Sequence, residues 1–381
     1  MSKIFCTLFT DLQNIHLIKD PGMIPLTFQN EYEYKSIVPI FGERQYPYKN
    51  VYFKDVEMPI IYGEKTQFTR DIARVRWLVK NAKKIDVLNL FFFYKGTWFL
   101  MWLYKKLNHK GLIYIHVDTD GERLINFEFS RNPVKNFISK RIFLNDSVIE
   151  DTLWGVQNYK NVQKLKNVWP FINIEYIPNG VFLDDNSVNF QQKENIILTV
   201  GRLGTDQKRT ELLLEAFSKV YPLNPSWKLR LVGTIEPEFK KYIKHFFDEN
   251  PELKENIEFV GPIYDRYLLA KEYSRAKVFC LPSAWESFGI VSIEALSKGC
   301  FLLESDIESN VEITQNGKMG MLFKSGDLED LIDKMNITLK NEKKIEENFY
   351  NAVDYAKNHY TWGKVLKPVE MWIEKKWSNE K

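Results

Sequence analysis

Short apolar runs alternate with amphipathic stretches along nearly the whole chain. This is the pattern of strands handing over to crossover helices, and it predicts α/β layers with parallel sheets. In the first half the runs predict strands at 3–10, 36–41, 51–57, 85–92, 111–117, 141–144 and 174–177. The stretch 70–84 places Ile72, Val75, Leu78, Val79 and Ala82 on one helical stripe, with Arg70, Arg74, Lys80, Lys83 and Lys84 off it. Pro178-Asn179-Gly180 reads as a turn, and the polar stretch 183–195 as a linker. A second series then begins. It predicts strands at 195–200, 227–232, 257–260, 277–281 and 300–304, and helices at 208–220, 237–247, 265–274 and 289–298. Two α/β halves, each opening on a strand, predict two Rossmann-like domains facing across a cleft, with the boundary at 188/189.

Composition narrows the class. A chain of 381 residues with 44% hydrophobic and 27% charged positions is long enough for two folded domains and too apolar for disorder. Its 27 Phe, 19 Tyr and 10 Trp leave rings over for surfaces that meet sugars, bases or lipid headgroups. Cys6, Cys280 and Cys300 form no even set and no CxxC pair. That excludes a secreted disulfide scaffold and a zinc finger, and predicts a reducing, cytoplasmic setting. The net charge of +3 is too small to argue for nucleic acid. Residues 1–190 carry 25 basic and 20 acidic side chains, and residues 191–381 carry 28 and 30, so the first half is the one expected to face an anionic surface. The first ten residues read as a buried strand, being too short in their apolar run for a signal peptide. The most membrane-like stretch, 87–104, is broken by Lys95-Gly96 and reads as strand, turn and helix.

Neither GxGxxG nor GxxxxGK[ST] occurs. Three clusters carry chemistry instead. In the first, strand, Gly201, Arg202, Gly204 and Lys208 place two cations at the carboxyl edge of a parallel sheet, where open α/β sheets bind ligands. Two readings stand level there: a diphosphate clamp, with a forked Arg and a point-charge Lys, or a loop of solvated cations. In the second, Pro282, Ser283 and Gly289 lead into a helix whose first amides favour an anion. Glu286 precedes that helix, and Glu294 lies on it roughly 12 Å further along. One carboxylate is placed for a sugar hydroxyl and the other for a ribose diol. The bland alternatives are a first-turn carboxylate and a partnered buried acid. In the third, 257–263 ends a strand in Gly-Pro, an ordinary turn that also lets backbone meet a flat ring.

In order and spacing, GRLGTDQKRTELLLEAF, LVG, EFVGPI, AKVFCLPSAWESFGIVSIEALSKG and NGKMGMLF resemble the retaining GT-B glycosyltransferases of family GT4 over most of 195–360. The resemblance implies that Arg202 and Lys208 bind a donor diphosphate, that Glu286 faces the donor sugar, and that Gly289, Ile290 and Val291 present amides. It also implies that Glu294 binds the ribose and that Ile263 lies at the base. The chain departs from the family at 306–310, where a Gly-Gly turn is usual.

In the first half, 16–25 looks like the family's cleft loop, with Gly22 near the reacting sugar. Residues 114–121 look like the strand end that sets His116 and Asp118 beside the anomeric carbon, although a satisfied strand-end histidine is an equal reading of His116. Residues 360–362 resemble the point where the last helix, about 362–381, crosses back to the first domain. The function implied is retaining transfer from a nucleotide-diphosphate donor, a UDP-sugar, to a hydroxyl of a saccharide or lipid-linked saccharide in cell-surface polysaccharide synthesis. It implies no metal and no cofactor. The basic stretch 70–84 with the aromatic 91–104 suggests an anionic membrane surface as partner, and a solvated face plus a buried strand and helix is an equal reading of the two stretches. Three alternatives stay open: a metal-dependent Asp-x-Asp transferase using Asp118 and Asp120, a sugar-nucleotide epimerase, and a non-catalytic GT-B partner subunit.

Overall fold

The structure is a computed structural model, and it describes residues 2–62, 66–92, 94–117, 145–182 and 188–379. The chain forms two compact units, one of residues 1–179 with 362–381 and the other of residues 180–361. The division falls before 188 because the backbone N–H of Val181 donates to the carbonyl of Tyr360 at 2.6 Å, and Val181 bridges Thr361 in parallel. Residues 180–182 therefore start the second unit, and 183–187, within the expected linker, lie outside the described residues.

In the first unit, β1 (Ile4–Thr7), β2 (Lys35–Ile37), β5 (Val87–Phe91), β6 (Leu112–Val117), β7 (Thr152–Val156) and β8 (Asn173–Tyr176) form one sheet, while β3 (Ile40–Phe41) and β4 (Ile60–Ile61) make a separate small ladder. The six strands run parallel in the order β2-β1-β5-β6-β7-β8. Strands β5, β6 and β7 are buried at every position, as expected of a parallel sheet covered on both faces. Helix Trp362–Ser378 packs onto this unit by burying Trp362, Val365, Leu366, Val369 and Ile373.

Several expectations change here. Residues 51–57 are not a strand: Pro47 opens a short helix, Pro47–Tyr52, because its fixed φ suits a first helical position. The stretch 36–41 is split into two strands around Val38 and Pro39, and β7, TLWGV, forms where the sequence pattern predicts no strand. The expected strand 141–144 lies outside the described residues. Helix Gln67–Asn81 begins at Thr66, whose hydroxyl accepts from the Thr69 amide at 3.2 Å. It is rotated from the expected stripe: Arg74 is buried and Val79 is exposed. Arg74 turns inward to Asp71 and toward the Leu8 carbonyl, and Arg70 reaches Asp11 at 3.2 Å.

The second unit is a sheet in the order β11-β10-β9-β12-β13-β14. Its strands are β9 (Glu194–Val200), β10 (Lys228–Val232), β11 (Ile257–Gly261), β12 (Ala276–Leu281), β13 (Phe301–Ser305) and β14 (Gly320–Phe323). All pairs are parallel. This is the 3-2-1-4-5-6 order of a doubly wound fold, which reverses direction between β9 and β12. Helix Thr210–Val220 seals one face with Leu213, Leu214, Phe217 and Val220. The reversal sets the loops after β9 and β12 side by side at one sheet edge, and these loops hold 201–209 and 282–289.

Candidate functional site

At that edge the two loops are stitched together. The Ala284 amide donates to the Gln207 carbonyl at 2.8 Å, and Gln207 Nε2 donates to the Trp285 carbonyl at 3.0 Å. Lys208 Nζ lies 2.5 Å from Glu286 Oε1, a part-buried ion pair. The Ser283 hydroxyl donates to the same carboxylate oxygen at 2.6 Å, and Gln207 Nε2 approaches the other at 3.3 Å. Arg202 is exposed and donates to Gln207 Oε1 at 3.0 Å. The structure thus brings Arg202, Lys208 and Glu286 into one network through Gln207. Gln207 lies between the two cations in the same loop, and as an uncharged residue it carries no mark in the sequence of the role that joins them.

Gly289 caps helix Ile290–Ser297 in the left-handed region, with φ +99°. A side chain there would be strained, which is why the loop turns on glycine. Ile290 and Val291 form the first helical turn, whose amides lack intrahelical acceptors and point out of the helix start. Glu294 sits apart from the ion pair. It is half-buried, accepts from the Tyr273 hydroxyl at 2.9 Å, and lines a half-open cavity with Phe182, Arg266, Tyr267 and Tyr273. Arg266 lies 4.8 Å from the centre of the Phe182 ring, and Tyr267 meets that ring edge-on. Ile263, half-buried in the loop between β11 and helix Arg266–Arg275, is not among the cavity's lining residues.

One residue near the edge is absent from the candidates that the sequence offers. Glu304, in β13, is fully buried, and burial with the nearby Glu286 charge pushes its carboxyl up to about 8, against Ser292 and Lys208. A charged residue inside an apolar strand run, FLLES, was the available clue.

In the first unit, His116 is buried at the end of β6 with both ring nitrogens engaged. Nδ1 meets the Tyr114 hydroxyl at 2.8 Å, while Nε2 meets Gln157 Nε2 at 3.0 Å and Asn179 Oδ1 at 3.3 Å. Burial drives the ring's pKa down to about 4, so at neutral pH it is uncharged and its 3.7 Å approach to Asp20 is no ion pair. Gly22 is buried near the start of helix Asp20–Glu31, and a Cβ there would sit 2.0 Å from the Leu17 carbonyl oxygen. Asp118 and Asp120 lie outside the described residues. Among the described residues no group of three or more His, Cys, Asp or Glu is placed to hold a metal, and no helix is long and apolar enough to cross a membrane.

Residues 182–355 match the model of the family Glycosyl transferases group 1. The phosphatidyl-myo-inositol mannosyltransferase of Mycobacterium leprae (strain TN) is 29% identical over 199 residues, 51% of each chain. The sulfoquinovosyl transferase SQD2 of Arabidopsis thaliana is 27% identical over 177 residues, 46% of this chain and 32% of its own. The matched region thus spans about half the length of the first relative and a third of the second. Among solved structures, sucrose-phosphate synthase from Thermosynechococcus elongatus is similar with a TM-score of 0.69 at 15% identity over 100% of both chains. HepE of Anabaena, solved with UDP and glucose, has a TM-score of 0.68 at 13% identity, over 98% of this chain and 99% of its own. At such identities the likeness speaks for the fold, which is the two-domain GT-B type.

Proposed function

We propose, from a chain whose residues 182–355 belong to the glycosyl transferases group 1 family, a hexosyltransferase that moves a sugar from a nucleotide-diphosphate donor to a hydroxyl acceptor. The observation that carries this is the Lys208–Glu286 pair, stitched through Gln207 to Arg202, at the sheet edge where the strand order reverses. An incoming diphosphate competes for Lys208 and Arg202 and meets the amides of Ile290 and Val291. As the sugar–phosphate bond breaks, charge grows on the departing diphosphate, and these fixed donors stabilise it electrostatically. Glu286, already held by three donors, is a fixed acceptor suited to a sugar hydroxyl rather than a nucleophile. Retention then follows from attack on the face the leaving group vacates. The Glu294 cavity, walled by Phe182 and Tyr267, suits a nucleoside, with the carboxylate accepting from the ribose diol.

UDP is the nucleotide favoured, in keeping with the ligand of Anabaena HepE. The acceptor is a saccharide or a lipid-linked saccharide, as the lipid in the name of the M. leprae relative suggests. Exposed Arg76, Lys80, Lys83 and Lys84 around helix Gln67–Asn81, beside exposed Phe68 and Val79, suit contact with an anionic membrane surface.

The test is nucleotide release from a panel of UDP- and GDP-sugars, with and without acceptor saccharides and EDTA. At least one donor should turn over with acceptor present and EDTA should leave the rate unchanged, while Lys208→Ala should lower it roughly 10²–10³-fold, as for loss of one transition-state donor. Loss of activity in EDTA would favour the Asp118 and Asp120 metal reading. Release of UDP and a free sugar derivative without acceptor would favour an epimerase, and absence of any thermal shift with UDP or GDP a non-catalytic subunit.

A further inference from the structure

Glu304 stands near the carboxyl end of β13, in register with Leu281 of β12 and Leu322 of β14. It has no exposed surface, and neither of its carboxyl oxygens has a hydrogen-bond partner of good geometry. The same holds for Ser292 Oγ and Asn310 Oδ1, both fully buried. A Cβ placed on Gly289 would lie 3.5 Å from Ser292 Oγ and 3.9 Å from Asn310 Oδ1, so those two oxygens converge beside the helix start. The same framework reaches the ion pair. Ser305, next in the chain, donates to the Ser283 carbonyl at 2.6 Å, and Asn310 Nδ2 donates to the Ser305 carbonyl at 3.0 Å. Ser283 in turn holds Glu286. A buried set made of oxygens is short of hydrogens, and an ionised carboxylate without donors is the costliest member it could contain.

We propose that Glu304 is a positioning residue of the donor site, remaining a neutral acid beside the framework that holds the Lys208–Glu286 pair, so that Lys208 and an arriving diphosphate meet no additional carboxylate. This rests on the donor-site reading above. The groups around it are consistent with the neutral form. Burial raises the carboxyl most and the Glu286 charge raises it further, while the Ser292 hydroxyl and Lys208 oppose them. On β12, Cys280 is itself held neutral, chiefly by burial, and offers the carboxyl no positive charge. The position of Glu304 on β14 is matched by apolar Leu322, and Lys344, from helix Glu342–His359, lies toward Phe301 at the other end of β13. With a carboxyl near 8, the protonated form fills the neutral range, and ionisation above it adds a second anion that acts on Lys208 beside Glu286.

The experiment is calorimetric UDP binding between pH 6.5 and 9.5, in wild type and Glu304→Gln, with melting curves of both from pH 5 to 9.5. Above pH 8 the wild-type affinity should weaken toward about tenfold per pH unit, the limit for one linked proton, whereas Glu304→Gln should hold its neutral-pH affinity across the same span. Parallel pH profiles overturn the proposal. If wild type binds neither UDP nor GDP at any pH, the donor reading fails, and the melting curves decide the state of Glu304. A carboxyl raised by folding binds its proton in the folded chain after the unfolded chain has lost it, so wild type must lose stability relative to Glu304→Gln as pH rises from 5 to 8 and no further above. A constant gap overturns the neutral acid.

Discussion

Gly22 and Gly289 look alike in sequence, each beside the start of a helix, but the structure demands glycine for different reasons. At Gly289 the backbone itself is left-handed. At Gly22 the backbone is helical and the constraint is the Leu17 carbonyl, which a methyl group would strike. The resemblance placed Gly22 near the reacting sugar, whereas the steric contact alone accounts for glycine there. Gly22→Ala should therefore destabilise the first unit by about 1–3 kcal/mol, the usual cost of overpacking. Denaturant unfolding would show it, and UDP affinity, which the proposed donor site assigns to the second unit, should stay at the wild-type level. His116 shows a similar divide. A histidine at a strand end is visible in the sequence, with Tyr114 two residues before it, but Gln157 and Asn179 reach it from two other segments. Neutral and enclosed, it is placed to hold neighbouring groups rather than to donate a proton near neutral pH.

At the level of elements, the helix Gln67–Asn81 shows how periodicity can mislead. Five apolar residues on one stripe predicted the buried face, and the charges were assigned outward. The folded helix instead turns Arg74 inside, because Asp71 and the Leu8 carbonyl at the end of β1 offer partners that pattern alone does not reveal. Arg70 is likewise drawn to Asp11, which also pairs with Arg44. Only cations outside these networks are available to a membrane. Replacing Arg76, Lys80, Lys83 and Lys84 by Gln should weaken binding to vesicles rich in anionic lipid by about 1 kcal/mol per charge, a figure for basic residues near such a surface. Sedimentation with phosphatidylserine vesicles would measure this, and unchanged binding would remove the membrane as a partner. Replacing Arg70 and Arg74 should instead lower the melting temperature, since those groups serve the fold.

On the scale of the whole molecule, the chain closes on itself through its last helix. Trp362, Val365, Leu366, Val369 and Ile373 are buried in the first unit, in a helix that begins 186 residues after β8 would have ended it as a simple domain. Fully burying a large apolar side chain contributes about 1.5–3 kcal/mol, so five of them rival the whole stability of a domain, about 5–15 kcal/mol. Deleting 362–381 should thus abolish the cooperative melting of the first unit while the second, complete within 180–361, keeps its own transition. Calorimetry of the truncated chain would separate the two, and retention of both transitions would show the helix to be dispensable.

The alternation of apolar runs and amphipathic stretches determined by itself that this is an α/β chain of two units, because parallel strands covered on both faces must be apolar throughout and their crossovers must be helical. The cations of the β9 loop and the Glu286–Glu294 spacing were likewise legible, since each lies within one loop and the helix beside it. What only the folded chain decided is which of these groups meet. Lys208 and Glu286 are 78 residues apart in sequence and joined by the strand order, Gln207 links them, and Glu294 is drawn to Tyr273 and a cavity of its own. Glu304 belongs to that second kind of knowledge. A carboxyl's protonation depends on what surrounds it in space, and along the chain Glu304 is only one acid in a run of apolar residues.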